Sequence, residues 1–171
     1  IRTVRDMRDT GKDMSGFDLD TAPQMFIGAA ANPFADPFEY RVIRLAKKID
    51  AGVDFIQTQC IYNIDRFKEW IRQANEEGLT EKAYILGGVT PLRSAGMAKY
   101  MNKKVAGMDV PEALIKRMDG VDKKDQAREG IKICLETIEE LKELKGVHGV
   151  HIMAIEWEDA VAGIVQQAHL K

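Results

Sequence analysis

Cysteine is scarce in this 171-residue chain, and the two present, Cys60 and Cys134, form no Cys-x-x-Cys pair. That spacing suggests neither a disulfide framework nor a zinc site. Two free thiols suit a reducing compartment, so a cytoplasmic location is expected. No run of about 18 apolar residues occurs, so no membrane-spanning helix is expected. The start of the chain is charged and helix-like rather than a signal peptide. Charge of one sign is also missing: 25 Lys and Arg stand against 27 Asp and Glu, a formal net charge of −2. That balance argues against general nucleic-acid binding. No Gly-x-Gly-x-x-Gly follows any strand-like run, which argues against a dinucleotide fingerprint of the Rossmann or flavodoxin-like kind. Low-complexity segments and linkers are absent, so one domain is expected.

What is present is an alternation of strand and helix signals. Ile1 to Asp9 has helical spacing without a cap, as if a helix began earlier in a longer chain. Gln24 to Ala31 reads as a short buried strand. Asp36 is expected to cap a helix with Pro37 at its first position. That helix runs to Ala51 with Phe38, Val42, Leu45 and Ile49 as its apolar stripe. Gly52 stops it. A strand follows at Asp54 to Asn63. Its alternation sends Phe55, Gln57, Gln59 and Ile61 to one face and Ile56, Thr58 and Cys60 to the other.

A helix from Asn63 or Asp65 to Glu76 turns Phe67, Trp70, Ile71 and Ala74 inward. Ala83 to Val89 is the third strand. Ser94 caps a helix bearing Met97, Ala98 and Met101, and Pro111 to Met118 forms another. The long helix Asp122 to Lys145 has Ala127, Ile131, Cys134, Ile138 and Leu141 as its stripe, and a solvated Glu/Lys face from Glu136. Val147 to Ile155 is the fourth strand, and Glu158 to His169 the last helix, with Val161, Ile164 and Val165 inward.

Strand followed by helix, four times over, gives a parallel sheet. Four units fit an open doubly wound sheet or half of a (β/α)8 barrel. Polar groups near strand exits, Gln59, Thr90 and Glu156, favour the half barrel. The polarity of the second strand is its oddity. A strand between two helices should be buried on both faces, so two glutamines and a threonine there need partners. They serve either a polar network inside the barrel or a ligand held by Gln59. Glu156 is either a carboxylate of the site or the cap of the last helix. Gly87-Gly88 either admits a ligand to the backbone or packs closely on a helix. His148 and His151, three apart on a strand, face opposite ways, which argues against shared metal ligation and leaves ordinary hydrogen bonding.

Three stretches carry a resemblance: Ala-Gly-Val-Asp-Phe-Ile-Gln-Thr-Gln at 51–59, Leu-Gly-Gly-Val-Thr-Pro-Leu-Arg-Ser at 86–94, and Gly-Val-His-Ile-Met-Ala-Ile at 149–155. Together, in this order and spacing, they resemble the methylenetetrahydrofolate reductase family, in a divergent branch of the anaerobic type. The resemblance implies a (β/α)8 barrel of which residues 1–171 are the C-terminal half, within a longer chain. It implies FAD on the C-terminal face, reduced by NAD(P)H or a protein electron donor, and hydride transfer to 5,10-methylenetetrahydrofolate to give 5-methyltetrahydrofolate. A second subunit and an oligomeric state are implied partners. The alternative within the same resemblance is a non-catalytic folate- or flavin-binding subunit that docks on a partner.

Residue by residue, the resemblance assigns Gln59 to the folate pterin, where a carboxamide offers both donor and acceptor. It assigns Lys48 to the FAD, with Lys47 at the place of a flavin-contacting arginine. Arg41 and Arg44 take helix positions that the family uses around the FAD, there filled by Asp and Asn. Asn32 stands where an aromatic residue lines the flavin. Met97 and Met101 stand where Gln and Phe meet the folate, and Trp157 where an arginine meets its glutamate tail. Arg93 is the expected substitute for that charge. Val53 replaces the usual alanine beneath the flavin-binding helix, which implies a looser or repacked seat. The general acid and the aspartate that tunes the flavin lie in the family's first half barrel, so no catalytic residue is assigned here.

Overall fold

The computed structural model, which describes residues 1–170, turns these stripes into a layer of helices against one face of a parallel sheet. In chain order the elements are α1 (Arg2–Thr10), β1 (Gly28–Ala31), α2 (Tyr40–Asp50), β2 (Phe55–Cys60), α3 (Ile64–Glu76), β3 (Tyr84–Val89), α4 (Ala95–Lys104), α5 (Glu112–Asp119), α6 (Gln126–Lys142), β4 (Gly149–Ile152) and α7 (Asp159–Gln167). All strand pairs are parallel, and the sheet order is β1-β2-β3-β4. Right-handed crossovers are the rule for parallel strands, and an order that never reverses carries every connection to the same side. A doubly wound sheet instead reverses and is covered on both faces. Sequential order and one-sided cover are the arrangement of a partial α/β barrel.

The covered face holds the core. Ile56, Ile85 and Val89 from the strands meet Leu45, Phe67 and Ile138 from the helices, all buried. Each such side chain contributes about 1.5–3 kcal/mol relative to exposure. Val53 is buried in the same cluster. A second cluster, with Tyr62, Leu92, Ala98, Met101, Met118 and Ile133, lies where α4, α5 and α6 meet the exits of β2 and β3. There α6 passes so close to the chain after β3 that a Cβ at Gly130 would stand 1.7 Å from the Leu92 carbonyl oxygen. Gln126, one turn earlier, accepts a hydrogen bond from Ala95 N and donates one to the Val121 carbonyl. The side chains of Asn63 and Ser94 cap α3 and α4, as the sequence indicates. No helix among the described residues is long and apolar enough to cross a membrane.

Several expectations are corrected. The sheet is not buried on both faces: Phe55, Gln57 and Gln59 are half-buried, and Tyr84 is 55% exposed on the uncovered face. Phe26, ahead of β1, stacks on Phe55 at 5.6 Å between ring centres. Asp36 does not cap α2, which starts four residues later at Tyr40; its carboxylate pairs instead with Arg66 at 2.7 Å. Pro37 therefore precedes the helix. Strands β1 and β4 are shorter than expected, because only the C-terminal half of the first and the middle of the fourth find ladder partners. Helix α6 is shorter at both ends, and Gly130 and Ile133 are buried on it while Ala127 and Ile131 are only partly so, because α4 and α5 cover a second side. Glu158 occupies the N-cap of α7, so Glu156 does not.

Ile61 also leaves its expected face. Gln57 lies opposite Leu86 and Cys60 opposite Gly88, so Thr58 and Gln59 together face the single residue Gly87. This one-residue bulge reverses the alternation beyond it. Ile61 is buried on the helix side, where its Cδ1 lies 3.3 Å from the position of a Cβ at Gly87, beside Leu141.

Candidate functional site

A cleft of about 350 Å³ opens on the uncovered face, at the C-terminal ends of β1, β2 and β4. Gln57 and Gln59 reach it from β2, and His151 and Met153 from β4 and its exit. The Gln59 Oε1 accepts the Cys60 N–H at 3.1 Å. A backbone N–H only donates, which fixes the amide orientation and leaves the Gln59 NH2 for a ligand. The bulge is held by Thr58: its hydroxyl accepts the Gly88 N–H at 2.8 Å and donates to the Gln59 carbonyl at 3.0 Å. Gly88 is required there, since a Cβ would stand 2.4 Å from the Thr58 carbonyl oxygen. His151 Nδ1 is buried without a hydrogen-bond partner among the described residues.

Lys48, from the last turn of α2, lines this cleft and a smaller one of about 110 Å³ that Asn32, Arg41 and Arg44 share. Its ammonium donates to the Ala30 carbonyl. Burial pushes its pKa down, and the neighbouring Arg44 adds to the shift. Asn32 accepts the Phe34 N–H through Oδ1 at 2.9 Å. Its Nδ2 lies where a Cβ would sit at Gly107, 1.8 Å away, so the loop after α4 closes on Asn32 only because Gly107 has none. Arg66 fastens the rim: it pairs with Asp36 and with Asp109 at 3.2 Å, and lies 5.1 Å over the Phe38 ring. No carboxylate among the described residues lines either cleft. Three cations and a carboxamide without acidic neighbours suit an anionic, phosphate-bearing group.

The remaining singled-out residues lie elsewhere. Lys47 is exposed and lines neither cleft. Met101 is buried, and its sulfur accepts the Tyr62 hydroxyl at 3.3 Å. The Met97 sulfur accepts the Arg93 N–H at 3.4 Å. Arg93 and Trp157 form a pair at the exits of β3 and β4, and Arg93 Nη1 also donates to the Glu156 carbonyl at 3.1 Å. Glu156 has φ 52°, in the left-handed region, and is exposed in the turn after β4. Burial raises the pKa of both thiols, that of Cys134 to about 12, so neither is a ready nucleophile. Among the described residues no group of three or more His, Cys, Asp or Glu is placed to hold a metal.

Sequence reasoning missed Thr58, treated as part of a polar network, and His151, treated as an ordinary hydrogen-bonding residue. The signal for Thr58 was its place between two glutamines, but its partner depends on the register with β3. His151 gains meaning only because Gly88 opposite it has no side chain.

A methylenetetrahydrofolate reductase family model matches residues 4–169. A probable methylenetetrahydrofolate reductase (NADPH) of Caenorhabditis elegans is 25% identical over 116 residues, covering 64% of this chain and 17% of that protein. Methylenetetrahydrofolate reductase 2 of Saccharomyces cerevisiae is 31% identical over 83 residues, covering 48% and 13%. The chain thus spans less than a fifth of the length of these relatives. In fold it is similar to a solved structure of an uncharacterized protein from Clostridium thermocellum described as binding two copies of 5-methyl-5,6,7,8-tetrahydrofolic acid. The TM-score is 0.64 at 18% identity, over 99% of this chain and 70% of that one. At that identity the likeness is one of fold. Since the family model runs almost the whole length of the chain, the chain belongs to the methylenetetrahydrofolate reductase family.

Proposed function

We propose that this chain is the C-terminal half of a (β/α)8 barrel and carries part of the FAD and folate sites of a 5,10-methylenetetrahydrofolate reductase. The observation that carries the reading is the shared cleft: Gln59, Lys48 and Asn32, from β2, α2 and the exit of β1, line one space at the strand exits. The cationic set fits FAD, since Arg41, Arg44 and Lys48 converge without a carboxylate to oppose a diphosphate. Bound FAD supplies the hydride for the reduction, drawn from NAD(P)H or a protein electron donor.

The chain's own residues bind and orient. Gln59 presents its NH2 to the acceptor edge of the pterin, with Oε1 tethered to Cys60 so that the amide does not rotate freely. Asn32 stands beside the ring system, and Lys48 bridges the two clefts. Trp157 offers a flat face, and Arg93 a charge for the folate glutamate tail. Met97 and Met101 support this rim through Arg93 and Tyr62. The reaction's general acid is expected outside residues 1–171, since no carboxylate among the described residues lines the cleft.

The test is colour. Purified full-length protein is expected to be yellow, with a flavin spectrum bleached by reductant and restored by 5,10-methylenetetrahydrofolate. A second reading, a non-catalytic folate-binding subunit, is favoured by the described binding of 5-methyltetrahydrofolate in the similar fold. Folate binding without flavin, or a reduced flavin that folate does not reoxidise, supports that reading.

A further inference from the structure

The hydrogen bonds at Thr58 do something no ordinary strand residue does. In a regular parallel pair the Gly88 N–H meets a carbonyl of the neighbouring strand. Here, beside the bulge at Thr58 and Gln59, the Thr58 hydroxyl holds the Gly88 N–H at 2.8 Å. The same hydroxyl spends its hydrogen on the Gln59 carbonyl at 3.0 Å. Both sides of one oxygen are therefore used, one across to β3 and one along to the residue that reaches the cleft. The ladder resumes immediately, with Ile61 N–H on the Gly88 carbonyl at 2.8 Å. Thr58 is 3% exposed, so water does not replace its hydroxyl without opening the strand pair. Bulges are uncommon between parallel strands, and where they occur beside sites they re-aim a side chain.

We infer that Thr58 is a positioning residue for folate binding: its hydroxyl stabilises the bulge that aims the Gln59 carboxamide into the cleft. The inference rests on the folate reading of Gln59 and assigns a residue to which that reading gave no role. Valine keeps the shape of threonine and removes the hydroxyl, and with it the side-chain acceptor that holds the Gly88 N–H at the bulge. The strand pair then regains a partner by shifting register toward a regular ladder, and Gln59 turns with it. Serine keeps the hydroxyl and loses only a methyl group.

The experiment measures 5-methyltetrahydrofolate binding to the full-length protein and to Thr58→Val, Thr58→Ser, Gln59→Leu and the Thr58→Val/Gln59→Leu double variant. It is paired with amide exchange at Gly88 and with melting curves. Thr58→Val is expected to bind about tenfold more weakly, the scale of one mis-set hydrogen bond. Thr58→Ser is expected within about twofold of the parent, and Thr58→Val to add less than about twofold on the Gln59→Leu background, because both act through one group. Gly88 exchange is expected to quicken in both variants that carry Thr58→Val and not in Thr58→Ser or Gln59→Leu. Equal binding by Thr58→Val, or a loss undiminished on the Gln59→Leu background, overturns the inference and leaves the folate reading standing. A parent protein that binds no folate overturns both. If Thr58→Val does not fold, Thr58→Ala takes its place in the cycle with the same outcomes.

Discussion

The Arg93 guanidinium lies 5.7 Å from the centre of the Trp157 ring, joining the loop after β3 to the turn after β4. Neither residue lines the cleft with Gln59, so the pair forms a second contact zone at the rim. Such a pair contributes about 0.5–1 kcal/mol when exposed, too little to matter for folding. Arg93→Ala is expected to leave the melting temperature nearly unchanged. It is expected to weaken triglutamyl folate by about tenfold, the cost of one charge-assisted contact, and monoglutamyl folate much less. Titration with both folates checks this; equal loss for the two places the tail elsewhere.

Gly130 gives a prediction opposite in sign to helix propensity. Replacing a mid-helix glycine by alanine ordinarily stabilises by about 1 kcal/mol. Here the added methyl would meet the Leu92 carbonyl oxygen at 1.7 Å, a backbone atom that has no rotamer to move into. Gly130→Ala is expected to destabilise by about 2 kcal/mol, within the range for overpacking. It also displaces the loop that carries Arg93. Denaturant unfolding of both proteins measures the difference, and a more stable variant contradicts the packing described.

Lys48 makes anion binding pH-dependent. Its folded pKa lies below the ordinary value of 10.5, first from burial and then from Arg44. Between the depressed value and 10.5 the unfolded chain binds more protons than the folded one, so this group's contribution to stability rises with pH across that window. A bound diphosphate restores the charge and takes up a proton. Flavin affinity is therefore expected to fall as pH rises through the depressed value. Arginine stays charged throughout, so Lys48→Arg is expected to lose this slope. Flavin titration across the alkaline range checks both; a flat profile for the parent protein removes Lys48 from the phosphate site.

The helices were largely legible in the sequence, because their stripes follow from local spacing: Phe67, Trp70, Ile71 and Ala74 all bury as expected. So were the caps at Asn63 and Ser94, which act within three residues. Asp36 has the chemistry of a cap, yet Arg66, 30 positions away, holds its carboxylate. Local reading sees no such competitor. Alternation placed Gln57 and Gln59 on one face but carried Ile61 with them, since a bulge is a property of two strands and not of one. The meeting of Lys48 with both clefts was likewise invisible, because it depends on where β1 ends beside α2.

The account stands or falls on the carboxamide of Gln59. Flavin content and the rate of flavin reoxidation by 5,10-methylenetetrahydrofolate, measured side by side for the parent protein and Gln59→Leu, test it directly. Retained flavin with reoxidation slowed at least about tenfold, as expected when a ligand's polar edge loses a hydrogen-bond partner, agrees with the account. Flavin lost in step with reoxidation, or reoxidation at the parent rate, contradicts it.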